Sequence, residues 1–156
     1  MIIKVQPDKQ KAISLKETTE TTLKRLQETD KEKYPSNTLT DYYDIIRKLM
    51  EALNSLEGVK IKGEGAHKEI IDYVCDKHGF DFATKHFIQE MRKYRNKISY
   101  EGFSVKASYI KTNTQKIEKI INSMQKILQE KLKTTAGENT SPNSNKKETS
   151  TKEKAW

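Results

Sequence analysis

One cysteine, three prolines, six glycines and one tryptophan are spread over 156 residues, and each scarcity narrows what the chain can be. A lone Cys75 cannot close a disulfide within the chain. No apolar run followed by a small-residue cleavage site occurs near the start, so a cytoplasmic protein is expected. Nowhere do the ~20 apolar residues of a membrane span run together, which predicts a soluble chain with no membrane contact. Few prolines and glycines disfavour a turn-rich sandwich or barrel. Apolar and charged residues each make up 33% of the sequence, a balance that suits a small all-α protein. At this length one domain with its own core is expected.

Positive charge is what the chain has in excess. The net charge is +8, from 30 Lys and Arg against 22 Asp and Glu. The stretch from Thr134 to Trp156 holds four lysines and three glutamates, so +7 of that charge belongs to the residues before it. Such a surface attracts polyanions without specifying one, and nucleic acid is an admissible partner. The same stretch, TTAGENTSPNSNKKETSTKEKAW, has almost no apolar side chains to offset the entropy of ordering. A folded domain over 1–133 and a disordered tail over 134–156 are therefore expected.

Helical periodicity runs through the first part. From Asp8 to about Glu28, Ala12, Leu15, Thr19, Leu23 and Leu26 recur at spacings of three and four, as one face of a helix requires. TDKEKYPSN breaks the pattern as a loop. The strongest signal spans Thr38 to Glu57, where Leu39, Tyr42, Tyr43, Ile46, Leu49, Met50, Leu53 and Leu56 follow the helical repeat. Thr38 with Asp41 resembles a capping box, and Gly58 suits the end. This helix is expected at the centre of the core, with one of its adjacent tyrosines buried and the other phenol at an edge.

VKIKGEGAHK, with two glycines and no long apolar period, reads as a connection leading into a helix, and no strand is expected before KGEGAHK. A helix from about His67 to Lys77 then buries Ile70, Ile71, Val74 and Cys75. Another, Asp81 to Ser99, turns Phe87, Ile88, Met91, Tyr94 and Ile98 inward. After Gly102 a long last helix is supported by Val105, Tyr109, Thr112, Ile117, Ile120, Ile121, Met124, Leu128 and Leu132, with an irregularity near Thr112 to Thr114. The total is about five helices.

Most chemistry-bearing patterns are incomplete. Cys75 and His78 have C-x-x-H spacing, but no second ligand pair accompanies them. No metal site is expected, and the bland alternative is a small buried thiol with surface histidines. KGEGAHK lacks the Gly-Lys-Ser/Thr ending of a phosphate loop, although His67 and Lys68 at the helix start share a surface. No nucleophile-and-base arrangement of a hydrolase occurs, and no cofactor motif is present.

The richest stretch is MRKYRNKISYEGF, residues 91–103. On a helix Arg92, Asn96 and Tyr100 share a face, with Arg95 on its flank. A guanidinium can bind two phosphate oxygens at once, and a nearby ring can stack on a base, so the group suits RNA or a nucleotide. The competing reading keeps Tyr94 and Ile98 in the core while the charges only solvate the outer face.

Three segments make the pattern more specific. DYYDIIRKLMEALNSLEG, then AHKEIIDYV, then MRKYRNKISYEG, which is similar to an L-R-x-x-R-N motif, together resemble the HEPN superfamily. In order and length the likeness runs from about Asp8 to Lys133. It implies an antiparallel up-and-down bundle, a homodimer, and either metal-independent ribonuclease activity or partnership with a minimal nucleotidyltransferase in a toxin–antitoxin-type pair.

Active members carry Arg, a polar residue such as Asn, and a His four to six residues beyond the Arg. Arg95 and Asn96 match that beginning, but Tyr100 stands where the shortest spacing puts the His. A phenol with the ordinary pKa of about 10 is only about a thousandth ionised at pH 7, so it makes a poor general base. The resemblance thus implies an RNA- or nucleotide-binding module at Arg92, Arg95, Asn96, Tyr100, Tyr43 and His67. Catalysis by Arg95, Asn96 and Tyr100 is then doubtful. Two alternatives stand beside it: an active endoribonuclease in which Tyr100 or His67 moves the proton, and a purely structural interaction bundle. The likeness also suggests Tyr100 as an acceptor of an adenylyl group from a partner enzyme.

Overall fold

The computed structural model describes the backbone of residues 1–138 and the side chains of residues 1–134. Five helices dominate: α1 Lys9–Gln27, α2 Pro35–Glu57, α3 Ala66–Lys77, α4 Phe82–Glu101 and α5 Ala107–Glu138. Two short strands, β1 Ile2–Lys4 and β2 Val59–Ile61, pair antiparallel with Ile3 opposite Lys60. The chain is mainly helical with five helices, as expected, but the ribbon departs from an all-helical chain and corrects the reading that no strand precedes KGEGAHK, since β2 ends one residue before it. Runs of three residues are too short to display the two-residue alternation by which a strand is read.

Gly58 joins the ribbon to the bundle. It ends α2 in the left-handed region at φ 71°, where glycine carries no Cβ penalty. Its carbonyl accepts from Val5 N at 2.8 Å. A Cβ there would lie 2.6 Å from Val5 O, so both the conformation and the close approach require glycine.

Other helix ends follow local chemistry. Asp8 caps α1 by accepting from Lys11 N at 2.9 Å. α2 begins earlier than expected because Pro35, with its φ preset for a first turn, stands at its start. Thr38 therefore caps nothing. It is buried inside the helix and donates to Lys31 O at 2.7 Å, while Asp41 pairs with Arg25 at 2.7 Å.

α5 runs without a break, which corrects the irregularity expected at Thr112 to Thr114. Asn113 and Thr114 bond back to Tyr109 O and Ile110 O at 2.9 and 2.6 Å, so their polar groups are satisfied inside the helix. Thr112 is exposed and Ile110 takes the core position. The helix also continues through 134–138, beyond the expected start of the tail. The remainder of that tail, 139–156, lies outside the described residues.

α2 is the central element, with α1, α3, α4 and α5 all packed on it. Leu39, Tyr42, Ile45, Ile46, Leu49, Met50 and Leu53 are fully buried there, against Ile88 and Met91 of α4 and Ile110 and Ile117 of α5. Each such side chain contributes about 1.5–3 kcal/mol of transfer free energy. Both adjacent tyrosines are buried, which corrects the expectation of one phenol at an edge. Tyr42 donates to Glu118 Oε2 at 2.8 Å, and burial with that carboxylate raises its pKa well above the ordinary phenol value. No helix among the described residues is long and apolar enough to cross a membrane.

Candidate functional site

α3 and α4 differ in length, so part of α4 lies beyond α3. Lys85 pairs with Asp76, and Gln89 Nε2 donates to Lys68 O and Asp72 Oδ1 at 3.0 Å each. The two helices therefore run in opposite directions, and the start of α3 lies beside the middle of α4. α3 has 12 residues and α4 has 20, so the last turns of α4 extend past α3 over α2.

Arg92 and Arg95 occupy those turns. Arg92 Nε donates to Gln89 Oε1 at 2.9 Å. Arg95 Nε lies 3.9 Å from Asp44 Oδ1, too far for a hydrogen bond, and both atoms are buried without hydrogen-bond partners. From α2, Arg47 reaches Glu51 at 2.8 Å. Between these groups sits the Tyr43 ring, 2% exposed, with its hydroxyl unpartnered. Burial pushes the Tyr43 phenol up to about 12, against the opposing pull of Arg92, Arg47 and Arg95. Three guanidinium charges thus act on one neutral hydroxyl, with Asp44 near Arg95 and Glu51 on Arg47 as the carboxylates. Such a set can hold an oxyanion by charge-assisted hydrogen bonds.

The expected site residues are brought together only in part. Arg92, Arg95 and Tyr43 share the α2–α4 contact, although the buried Tyr43 offers no open ring face for stacking. Tyr100 is 81% exposed and lines, with Asn96 and Lys97, a separate shallow cavity of about 350 Å³. Arg95 and Tyr100 are five residues apart, which at about 100° per residue turns them well away from each other. His67 is exposed at the start of α3, and no hydrogen bond or ion pair joins it to Arg95. Asp44, Arg47 and Gln89 were not singled out from the sequence. Asp44, Arg47 and Glu51 recur at spacings of three and four along an apolar helix, and that polar stripe beside Tyr43 was the available signal.

A second polar cluster lies at the far end of α2. Glu57 takes Lys131 at 3.3 Å, Lys77 at 3.8 Å and His78 Nε2 at 3.7 Å. His78 has a side chain only 6% exposed, which corrects its assignment to the surface, and burial lowers its pKa despite Glu57. Cys75 is buried as expected, with its thiol pushed up to about 11 by that burial. Among the described residues no group of His, Cys, Asp or Glu could hold a metal ion.

A scan against protein-family models, a search of the curated proteins and a search of the solved structures each return no match to this chain. What can be said of function therefore rests on the residues and their geometry.

Proposed function

We propose that this chain is a HEPN-like, antiparallel up-and-down bundle that acts as a homodimeric RNA- or nucleotide-binding module without ribonuclease turnover of its own. One observation carries the reading: the charges of Arg92, Arg47 and Arg95 all act on the buried Tyr43 hydroxyl, and Arg95 Nε has no hydrogen-bond partner. Cations gathered around a neutral group favour an external anion, and a phosphate fits the planar donors of arginine. Asn96, Lys97 and Tyr100 on the adjoining side of α4 extend the polar surface along which a strand or base would lie. The absence of a catalytic base rests on Tyr100 replacing the motif histidine and on His67 having no link to Arg95. Homodimerisation, a nucleotidyltransferase partner and adenylylation of Tyr100 follow from the HEPN resemblance alone.

Binding of a labelled single-stranded RNA oligonucleotide, measured in chelator over a range of salt, tests the proposal. Arg95→Ala is expected to weaken binding about tenfold, the loss of one charge-assisted contact. The further change Arg92→Ala should lower the salt dependence by about one more ion. RNA recovered intact supports a binding role, whereas metal-independent cleavage lost in Arg95→Ala would establish an endoribonuclease instead. The contacts of Arg95 with Asp44 and of Arg92 with Gln89 favour a second reading, a purely structural bundle whose arginines brace α4. Unchanged RNA affinity in both variants would support that one.

A further inference from the structure

We propose that the trough between α4 and α5 is a docking groove for an acidic amphipathic helix of a partner protein. Both helices pack on α2 and hardly on each other, which leaves a cavity of about 430 Å³ walled by Tyr94, Phe103, Val105 and Tyr109. Tyr94 stacks on Phe103 with centroids 5.9 Å apart and meets Tyr109 edge-on at 5.3 Å. Phe103 is nevertheless 40% exposed.

Cations rim this trough. Lys106 lines the cavity and Lys97 lies over the Phe103 ring of its wall at 5.7 Å, while Lys116, one turn of α5 beyond Thr112, lies over the Phe87 ring at 4.3 Å outside the cavity. Among the described residues none of the three has a carboxylate within ion-pair distance. Glu90, whose charge reaches Tyr109, is engaged by Lys93 at 3.4 Å, and Asp81 feels Lys116 only at longer range. An apolar recess bordered by unpaired lysines complements a helix that sets apolar side chains, one turn apart, between carboxylates.

Other occupants fit less well. A second copy of the same trough would bring lysine against lysine. The segment 139–156 carries four lysines against two glutamates, the wrong sign. For single-stranded nucleic acid the rings are already engaged, since Phe103 has Tyr94 on one side and Lys97 over its ring, leaving no free pair of faces for a base.

The test is fluorescence anisotropy on the full chain with a labelled helical peptide bearing Leu at i, i+3, i+4 and i+7 and Glu elsewhere. This peptide is expected to bind, and Phe103→Ala to weaken it about tenfold while leaving RNA affinity at the Arg92–Arg95 site unchanged. The triple variant Lys97→Glu, Lys106→Glu, Lys116→Glu should release it and instead take up the Leu/Lys counterpart. Equal binding of both peptides by the unaltered chain, or unchanged affinity in both variants, would overturn the groove. So would a loss of oligonucleotide binding in Phe103→Ala, a change from dimer to monomer in that variant, or a gain of peptide affinity on truncation after Glu138. Those three results assign the trough to nucleic acid, a second copy or the tail. Phe103 is solvent-facing, and an unaltered circular dichroism spectrum separates lost docking from lost folding.

Discussion

The two polar clusters along α2 use similar residues to opposite ends. Near its C-terminus, Lys77 and Lys131 gather around the carboxylate of Glu57, with the neutral imidazole of His78 beside them, so the cations face an anion already present. Less than one turn before the middle of the helix, the charges of Arg92, Arg47 and Arg95 all act on the neutral hydroxyl of Tyr43. Asp44 approaches Arg95 only to 3.9 Å and Glu51 takes Arg47 alone. The first cluster has its counter-charge inside the fold, although Glu57 Oε1 and His78 Nε2 there are also buried without hydrogen-bond partners. The second retains donor capacity for a ligand, because a guanidinium at that distance from its carboxylate still has unfilled hydrogen-bond directions.

Removing the anion from the Glu57 cluster should have the largest effect. Glu57→Gln removes the negative charge that Lys77 and Lys131 share, and is expected to cost about 2 kcal/mol of stability by urea denaturation. The cost is lower than for a fully buried pair because both lysines reach solvent. Asp44→Asn at the other cluster should cost far less and tighten RNA binding, since it removes a competitor for Arg95. A larger loss of stability from Asp44→Asn than from Glu57→Gln would erase the distinction.

Acidity separates the clusters next. His78 has a folded pKa below its ordinary 6.5 because burial disfavours the imidazolium, with Glu57 opposing and Lys131 and Lys77 reinforcing that shift. As pH falls below about 6.5 the unfolded chain takes up the proton first, so stability present above that pH is lost until the folded pKa is passed. The slope from this one group is at most about 1.4 kcal/mol per pH unit. His78→Gln should flatten that part of a stability-versus-pH curve, and an unchanged curve would show that His78 is not held neutral.

The smallest effect is expected at the adjacent tyrosines. Tyr42→Phe removes the bond to Glu118 and should cost about 1 kcal/mol. Tyr43→Phe removes a buried hydroxyl that has no partner, so stability should hold or rise slightly, with RNA affinity unchanged. If Tyr43→Phe lowers affinity, the hydroxyl itself touches the ligand.

Much of this was legible beforehand. The apolar stripe Leu39, Tyr42, Ile46, Leu49, Met50, Leu53 identified α2 as central, because a period of three and four can only be buried as a helix. Gly58 and Gly102 marked two helix ends, both now left-handed. Arg92 and Arg95 stood out by charge. The β1–β2 ribbon did not, since Ile2 and Ile61 meet through pairing between distant segments. The placing of Arg92 and Arg95 over α2 was equally hidden, because it depends on where α3 starts beside α4.

Residue type and spacing, which are local quantities, thus determined by themselves that the chain is mainly helical, that α2 carries the core face, and that the end of α4 is rich in cations. Tertiary structure decided which of those cations act together. The rotation of about 100° per residue turns Tyr100 away from Arg95, while the packing of α4 on α2 brings Arg95 and Arg92 to Tyr43, Asp44 and Arg47. Electrostatic grouping depends on distance in space, and only the packing of helices sets that distance.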